Sequence, residues 1–199
     1  MSGSHATVTD RLLVGVSGSI AILNLPTYLV ALQATFAKEV RVIMTVGAAQ
    51  LLSPSTVALL CDEVLLDEKP TAQKKPGHVE LANWADVFLV LPASANILGQ
   101  VANGLAQNLL TTTIMASPKP VIFCPNLNRT MWSKKAVQRN LRTLAEDGHL
   151  VVEPEQAPAY EVGTGGVADT LVLPEPAVLI RHLENLLQQI GEDSVAAEK

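Results

Sequence analysis

The chain has 199 residues, 48% of them hydrophobic and 17% charged, with a net charge of −5. That length suits one α/β domain with a sizeable core, while the acidic balance and the scattered 14 Lys and Arg argue against nucleic acid as a partner. No run reaches the ~18 apolar residues of a membrane span, and the two cysteines, Cys61 and Cys124, suit a reducing compartment, the cytoplasm, better than a disulfide scaffold.

Residues 1–10 lack the apolar core of a secretory signal and read as a flexible leader. Arg11 to Val16 is a short apolar run, followed by Gly15-Val16-Ser17-Gly18-Ser19-Ile20 and a helical stretch to about Ala37. Val40 to Met44 is β-branched and strand-like, and Ser53-Pro54 opens a short helix with serine as cap and proline in the first turn. Asp67 to Gly77, polar and holding Pro70 and Pro76, reads as a mobile loop. Val87 to Leu91 is continuously apolar, as a strand buried on both faces would be, and Pro92 ends it. Ala95–Asn103 and Gln107–Met115 read as helices, and Pro120–Cys124 as a strand. From Met131 to Glu146 the apolar residues recur at helical spacing, and Asp147-Gly148 ends that helix. Leu150–Val152 is the last strand, Tyr160–Thr170 a Gly-rich loop, and Glu175–Ile190 a final helix before a flexible tail at 191–199. Strands alternating with helices predict one domain over residues 11–190, a parallel sheet with helices on both faces. Ligands of such sheets gather at the carboxyl ends of the strands.

Four segments at such ends carry polar or flexible residues. In the first, Gly15 and Gly18 let backbone amides approach an anion, and Ser17 and Ser19 add hydroxyls. The third glycine of a dinucleotide fingerprint is missing, so a single phosphate, as in FMN, fits better; a ligand-free tight turn is the plainer reading. The second is Pro92-Ala93-Ser94-Ala95-Asn96. Its small residues would let a flat ring lie against the backbone, with Ser94 and Asn96 bonding the ring, or it is an ordinary helix cap. The third is Pro125-Asn126-Leu127-Asn128-Arg129-Thr130-Met131-Trp132. Asn126, Asn128 and Arg129 could hold a substrate carboxylate, or Asn128 could cap the next helix. Met131 and Trp132 suit core and site equally. The fourth is His78, a histidine of near-neutral titration suited to proton transfer, or one that is structural or solvated. His149 and His182 read as structural, Trp84 as packed, and Asp86 as a helix end. No clustered Cys/His spacing suggests a metal site.

Together these segments resemble the homo-oligomeric flavin-containing cysteine decarboxylases, a family that includes phosphopantothenoylcysteine decarboxylases and the enzymes that tailor ribosomal peptides such as lantibiotics. The similarity spans roughly residues 11–142. PASANILGQVANGLAQNLLTT is similar to the family's P-A-S-A-N-T segment, PNLNRTMW to its P-x-M-N-x-x-M-W motif, and HVELANWAD to the segment bearing its catalytic histidine. The resemblance implies a flavodoxin-like (Rossmann-type) fold, trimers often grouped into dodecamers, and FMN near the subunit interface. It places Ser17, Ser19 and Thr45 by the FMN phosphate and ribityl chain, and Ser94, Ala95 and Asn96 by the ring. His78 would be the base and Asn128 would contact the substrate carboxylate, with Asn126 and Met131 as secondary substrate contacts.

The chain departs from the family pattern at Leu127, at Ile97 in place of threonine, and at Gln107 where aspartate is frequent. Phosphopantothenoylcysteine decarboxylases carry a cysteine in the Gly-rich loop, whereas Glu161-Val162-Gly163-Thr164-Gly165-Gly166-Val167 has none. A hydroxyl at Thr164 is a far poorer acid than a thiol. The resemblance therefore points to the peptide-tailoring branch, with Thr164 and Gly165 in a clamp over a peptide ending in cysteine. There the flavin oxidises the cysteine, the thioaldehyde loses CO2, and an enethiol remains. The alternatives are a phosphopantothenoylcysteine decarboxylase in coenzyme A biosynthesis, a non-catalytic flavin-binding regulator and, more distantly, a flavin prenyltransferase.

Overall fold

A computed structural model describes residues 7–66, 77–161 and 165–197. β1 (Thr9–Val16) begins two residues inside the expected leader. A 3₁₀ turn at Ile20–Asn24 leads into α1 (Leu25–Thr35), and β2 (Ala37–Met44) follows. α2 (Val46–Leu51) precedes α3 (Pro54–Val57), which opens on Ser53-Pro54 as the sequence predicts. Next come β3 (Glu63–Leu66), α4 (His78–Trp84), β4 (Val87–Ala93), α5 (Ala95–Ala102) and α6 (Leu109–Met115). β5 (Val121–Pro125), α7 (Arg129–Trp132), α8 (Lys135–Glu146) and β6 (Leu150–Val151) lead to β7 (Glu155–Glu161), β8 (Gly166–Val172) and α9 (Pro176–Ala197).

Strands β1 to β6 form one parallel sheet in the order β3-β2-β1-β4-β5-β6. This is the doubly wound α/β architecture expected, in its Rossmann order, and the order reverses between β1 and β4. Side chains alternate across the sheet. Leu12, Val14, Val42, Leu89 and Ile122 pack in one layer with residues of α1 and α9. Leu13, Ile43, Phe88, Val90 and Phe123 pack in the other with residues of α5, α6 and α8. Gly15 belongs to the second layer. A Cβ there would lie 2.3 Å from Leu110 Cδ1, so α6 rests directly on the β1 backbone. The glycine read as part of an anion-binding turn thus serves helix–sheet contact.

Four stretches differ from the sequence reading. β3 was not foreseen; it is a four-residue edge strand that starts on a glutamate. The expected Gly-rich loop is largely an antiparallel hairpin, β7–β8, with Gly165 at φ +67° in its turn. The helix expected from Met131 to Glu146 is broken at Ser133-Lys134 into α7 and α8, and α9 extends through most of the expected tail. Residues 67–76 of the expected loop lie outside the described residues.

His149 is structural, as read: its Nδ1 accepts from the Val121 amide at 3.2 Å and its ring meets Phe123 edge-on. Burial lowers its pKa. Trp84 packs under the Arg41 guanidinium, 4.2 Å away. Asp86 does not end a helix by capping it. Its carboxylate accepts from Arg11 Nη2 at 2.9 Å and Nε at 3.1 Å, tying the approach to β4 onto β1. The hydrogen bonds from Arg11 hold its pKa below the ordinary carboxylate value. A depressed carboxylate stabilises the fold above its unfolded pKa, and that contribution disappears as pH falls through the folded one. Asp86→Asn is therefore expected to lower stability at neutral pH and to flatten the loss of stability on the acid side. Denaturant titrations from neutral to acid pH check this; an unchanged acid slope would contradict it.

Candidate functional site

Because β1 to β6 are parallel, the chain leaves β1, β2, β4 and β5 at one edge, and the sheet opens a crevice where β1 and β4 part company. Ser17, 1% exposed, fastens that crevice from below. Its hydroxyl donates to the Pro92 carbonyl at 2.8 Å and accepts from the Ser94 amide at 2.8 Å. The Leu91–Pro92 peptide is cis, and the β4–β5 register shifts between Val90 and Ala93. Ser17 was expected beside a phosphate. In the fold it bonds two backbone groups at the end of β4, and so sets the position of the residues around it.

The turn after β1 meets the turn after β2. A Cβ on Gly18 would lie 3.1 Å from the Gly47 carbonyl carbon, so the two backbones touch with no side chain between them. The exposed Gly18 amide has no partner among the described residues. Thr45 caps α2 through its hydroxyl, which accepts from the Ala48 amide at 3.3 Å. The Gly18 amide, the half-buried Thr45 hydroxyl and backbone free of side chains lie together at this edge, and such groups suit a phosphate. Among the described residues no group of three or more His, Cys, Asp or Glu could hold a metal ion.

Ser19 also joins this cradle to the end of β5. Its hydroxyl donates to Asn126 Oδ1 at 2.6 Å, while the Asn126 amide donates to the Ala93 carbonyl at 3.0 Å. Ser94 caps α5, half-buried Ala95 follows, and Asn96 is exposed, so small residues border the crevice on the β4 side. Asn128 caps α7, its Oδ1 accepting from the Met131 amide at 2.8 Å. The cap leaves the exposed Asn128 side-chain NH2 free of described partners. Met131 is 40% exposed and belongs to the surface, whereas Trp132 packs against the core. Two departures from the family pattern are absorbed locally: Ile97 and Leu127 are both buried in the second layer.

Arg129, grouped with the asparagines as a carboxylate holder, has a partner of its own. It reaches Asp169 of β8, bonding the carbonyl at 3.3 Å and facing the carboxylate at 3.5 Å. The hairpin is thereby drawn against α7, and its exit is fixed by the Tyr28 hydroxyl donating to Pro174 O at 2.7 Å. Burial pushes the Tyr28 pKa up to about 12, so this donor is retained across the physiological range. Gly165 is exposed at the hairpin turn, and Thr164 lies outside the described residues. His78 is exposed at the start of α4, directly after the stretch outside the described residues. It makes no hydrogen bond with Asn128, which follows β5. The Ser17 latch, the Gly18–Gly47 contact and the Arg129–Asp169 pair all join residues distant in sequence, and no local motif signals them.

Removing the Ser17 hydroxyl would leave the part-buried Ser94 amide without its partner and the buried Pro92 carbonyl with only the bond from the Ser17 amide. Ser17→Ala is expected to cost about 1–3 kcal/mol, read by chemical denaturation. A loss within about 0.5 kcal/mol, as for an ordinary surface change, would contradict the latch.

The fold defines a doubly wound α/β protein whose strand order reverses between β1 and β4. Residues 2–173 match the Flavoprotein family, and the chain belongs to it. It is 43% identical over 171 residues to the mersacidin decarboxylase of a Bacillus species, covering 85% of this chain and 87% of that protein. It is 37% identical over 180 residues to the coenzyme A biosynthesis bifunctional protein CoaBC of Vibrio cholerae, which it spans for 43% of that protein's length and 88% of its own. Among solved structures, an EpiD variant complexed with the substrate peptide DSYTC superimposes with a TM-score of 0.80 at 25% identity, covering 87% of this chain and 97% of that one. The FMN-dependent cysteine decarboxylase SpaF superimposes with a TM-score of 0.70 at 37% identity, covering 82% and 92%.

Proposed function

We propose that this protein is an FMN-dependent peptidyl-cysteine decarboxylase, which oxidatively decarboxylates the C-terminal cysteine of a ribosomally made peptide and leaves an enethiol end. The observation that carries this reading is the Ser19–Asn126 bond. It sets a phosphate cradle beside the strand end that bears Asn128, so cofactor and carboxylate would be neighbours. Likeness to mersacidin decarboxylase, SpaF and the peptide-bound EpiD supports both cofactor and substrate.

FMN, when bound, supplies the two-electron oxidation of the cysteine that makes loss of CO2 facile, and passes the electrons on to oxygen or another acceptor. The protein's own residues bind and orient. Gly18, Ser19 and Thr45 hold the phosphate end, while Ser17 and Gly15 fix the backbone from which they project. Ser94, Ala95 and Asn96 border the ring. The free NH2 of Asn128 faces the substrate carboxylate, with Asn126 and Met131 beside it, and Gly165 at the hairpin turn covers the peptide; the role the resemblance gives Thr164 falls outside the described residues. His78 accepts a proton from the terminal cysteine. The site is completed between copies in a homo-oligomer, a trimer of the kind the family resemblance implies. Exposed Ile20, Leu23, Val46 and Val79 around the same edge supply apolar surface for that contact.

Coenzyme A biosynthesis is the second reading, favoured by the likeness to CoaBC. Against it, residues 161–167 contain no cysteine, and the two thiols lie elsewhere: Cys124 is fully buried, and burial pushes Cys61 up to about 11. Two free thiols support a cytoplasmic location, and no described helix is long and apolar enough to cross a membrane.

With FMN and short peptides ending in cysteine, the product is expected to be lighter by about 46 Da, one CO2 and two hydrogens. His78→Asn is expected to abolish turnover and keep flavin. Unchanged peptide masses with flavin bound would contradict the function, and a fully active variant would remove His78 from the mechanism.

A further inference from the structure

The 14 cations looked scattered along the sequence, but the fold gathers several of them. Residues 87–145 contain six Lys and Arg and no Asp or Glu, inside a chain of net charge −5. Four of the six lie on or at the start of α8. Lys135, Arg139 and Arg142 recur at i, i+4 and i+7 and therefore share one helix face, and Lys134 is the N-cap residue. All four are exposed, and none has an ion pair with a described residue. The opposite face of α8, with Val137, Leu141 and Leu144, is the one that packs against the core. Folding gains little from this arrangement. Lysines in the first turn oppose the helix dipole, which favours anions there, and no acidic residue offsets them.

The stripe begins where the candidate site ends. Asn128 caps α7, α7 ends at Trp132, and only Ser133 separates it from Lys134. A peptide whose terminal carboxylate meets Asn128 must send its upstream residues out over a rim of the crevice. One rim is the hairpin, with Glu155 and Asp169 exposed. The other is the start of α8. From Lys135 to Arg142 the stripe runs ~10 Å, the length of about three residues of extended peptide. From this charge complementarity we infer that the cationic face of α8 is a docking surface for an acidic segment of the substrate peptide, upstream of its terminal cysteine. This rests on the decarboxylase reading. The surface raises affinity for such peptides without touching the reacting end.

The test uses two peptides with an identical segment ending in cysteine, one preceded by a run of Asp and Glu and the other by Asn and Gln. They are compared on the FMN-loaded protein and on K134Q/K135Q/R139Q/R142Q. At low salt the acidic peptide is expected to have a KM about tenfold lower, from several exposed charge pairs together, with equal kcat. That advantage should vanish in the variant and at ~1 M salt, where the Debye length is about 3 Å. Fluorescence anisotropy of a labelled acidic peptide should show the same loss of binding. Equal KM and equal binding for both peptides on the unaltered protein would overturn the inference, as would an advantage that survives in the variant. If neither peptide loses mass, the decarboxylase reading fails, while the anisotropy still decides whether α8 binds the acidic segment. A variant that changes oligomer mass by light scattering and leaves peptide binding intact would assign the face to a second copy and overturn the proposal.

Discussion

The hydroxyl of Ser17 bonds simultaneously to the carbonyl of Pro92 and the amide of Ser94, spanning the one place where the strand order turns back on itself. A doubly wound sheet separates its β1 and β4 exits at that point, because their connections leave on opposite faces. With the two exits held together, the turn of Gly18 and Ser19 faces Thr45 and Gly47 on one flank and the small residues after Pro92 on the other. Ser19 then reaches Asn126, and through it the end of β5. Each candidate residue from Gly18 to Asn128 on this edge takes its place relative to that fastening. Gly15 makes a second such constraint from beneath, since only a residue without Cβ lets Leu110 and α6 lie on β1.

The strands and the site differ in how they are stabilised, and the difference suits a peptide enzyme. The sheet is buried on both faces by apolar side chains, which fixes the strand ends. The residues offered to ligands are backbone amides, serines and asparagines on caps, which keep donors free after capping their helices. The hairpin is attached through exposed contacts, Arg129–Asp169 above all, and exposed ion pairs are worth little. Electrostatics adds a contrast: the region between Asp86 and Glu146 is cationic within an acidic chain.

Much of the fold was legible because β1, β2, β4 and β5 are buried on both faces, which writes continuous apolar runs into the sequence. β3 was not, because a four-residue edge strand beginning at Glu63 leaves too short a signal. The β7–β8 hairpin escaped because its two strands build no core, and Pro158 with several alanines reads as loop. Met131 and Trp132 continue the spacing of α8, so nothing local marks the break at Ser133. In the site, the polar residues at Ser94 and Asn128 were readable both as helix caps and as ligand contacts, and each does cap its helix. The partners of Ser17 lie 75 and 77 residues away, a separation that no motif encodes, and the charge stripe appears only when helical spacing places Lys135, Arg139 and Arg142 on one face.

The account stands on the cradle at the β1–β4 switch point holding a flavin by its phosphate. Titrating the protein with FMN and with riboflavin, which lacks the phosphate, and following flavin fluorescence tests this directly. The account predicts one FMN per chain and an affinity at least about a hundredfold above that for riboflavin, the worth of one or two hydrogen bonds to a charged group. Equal affinity for the two flavins, or binding of neither, would contradict it.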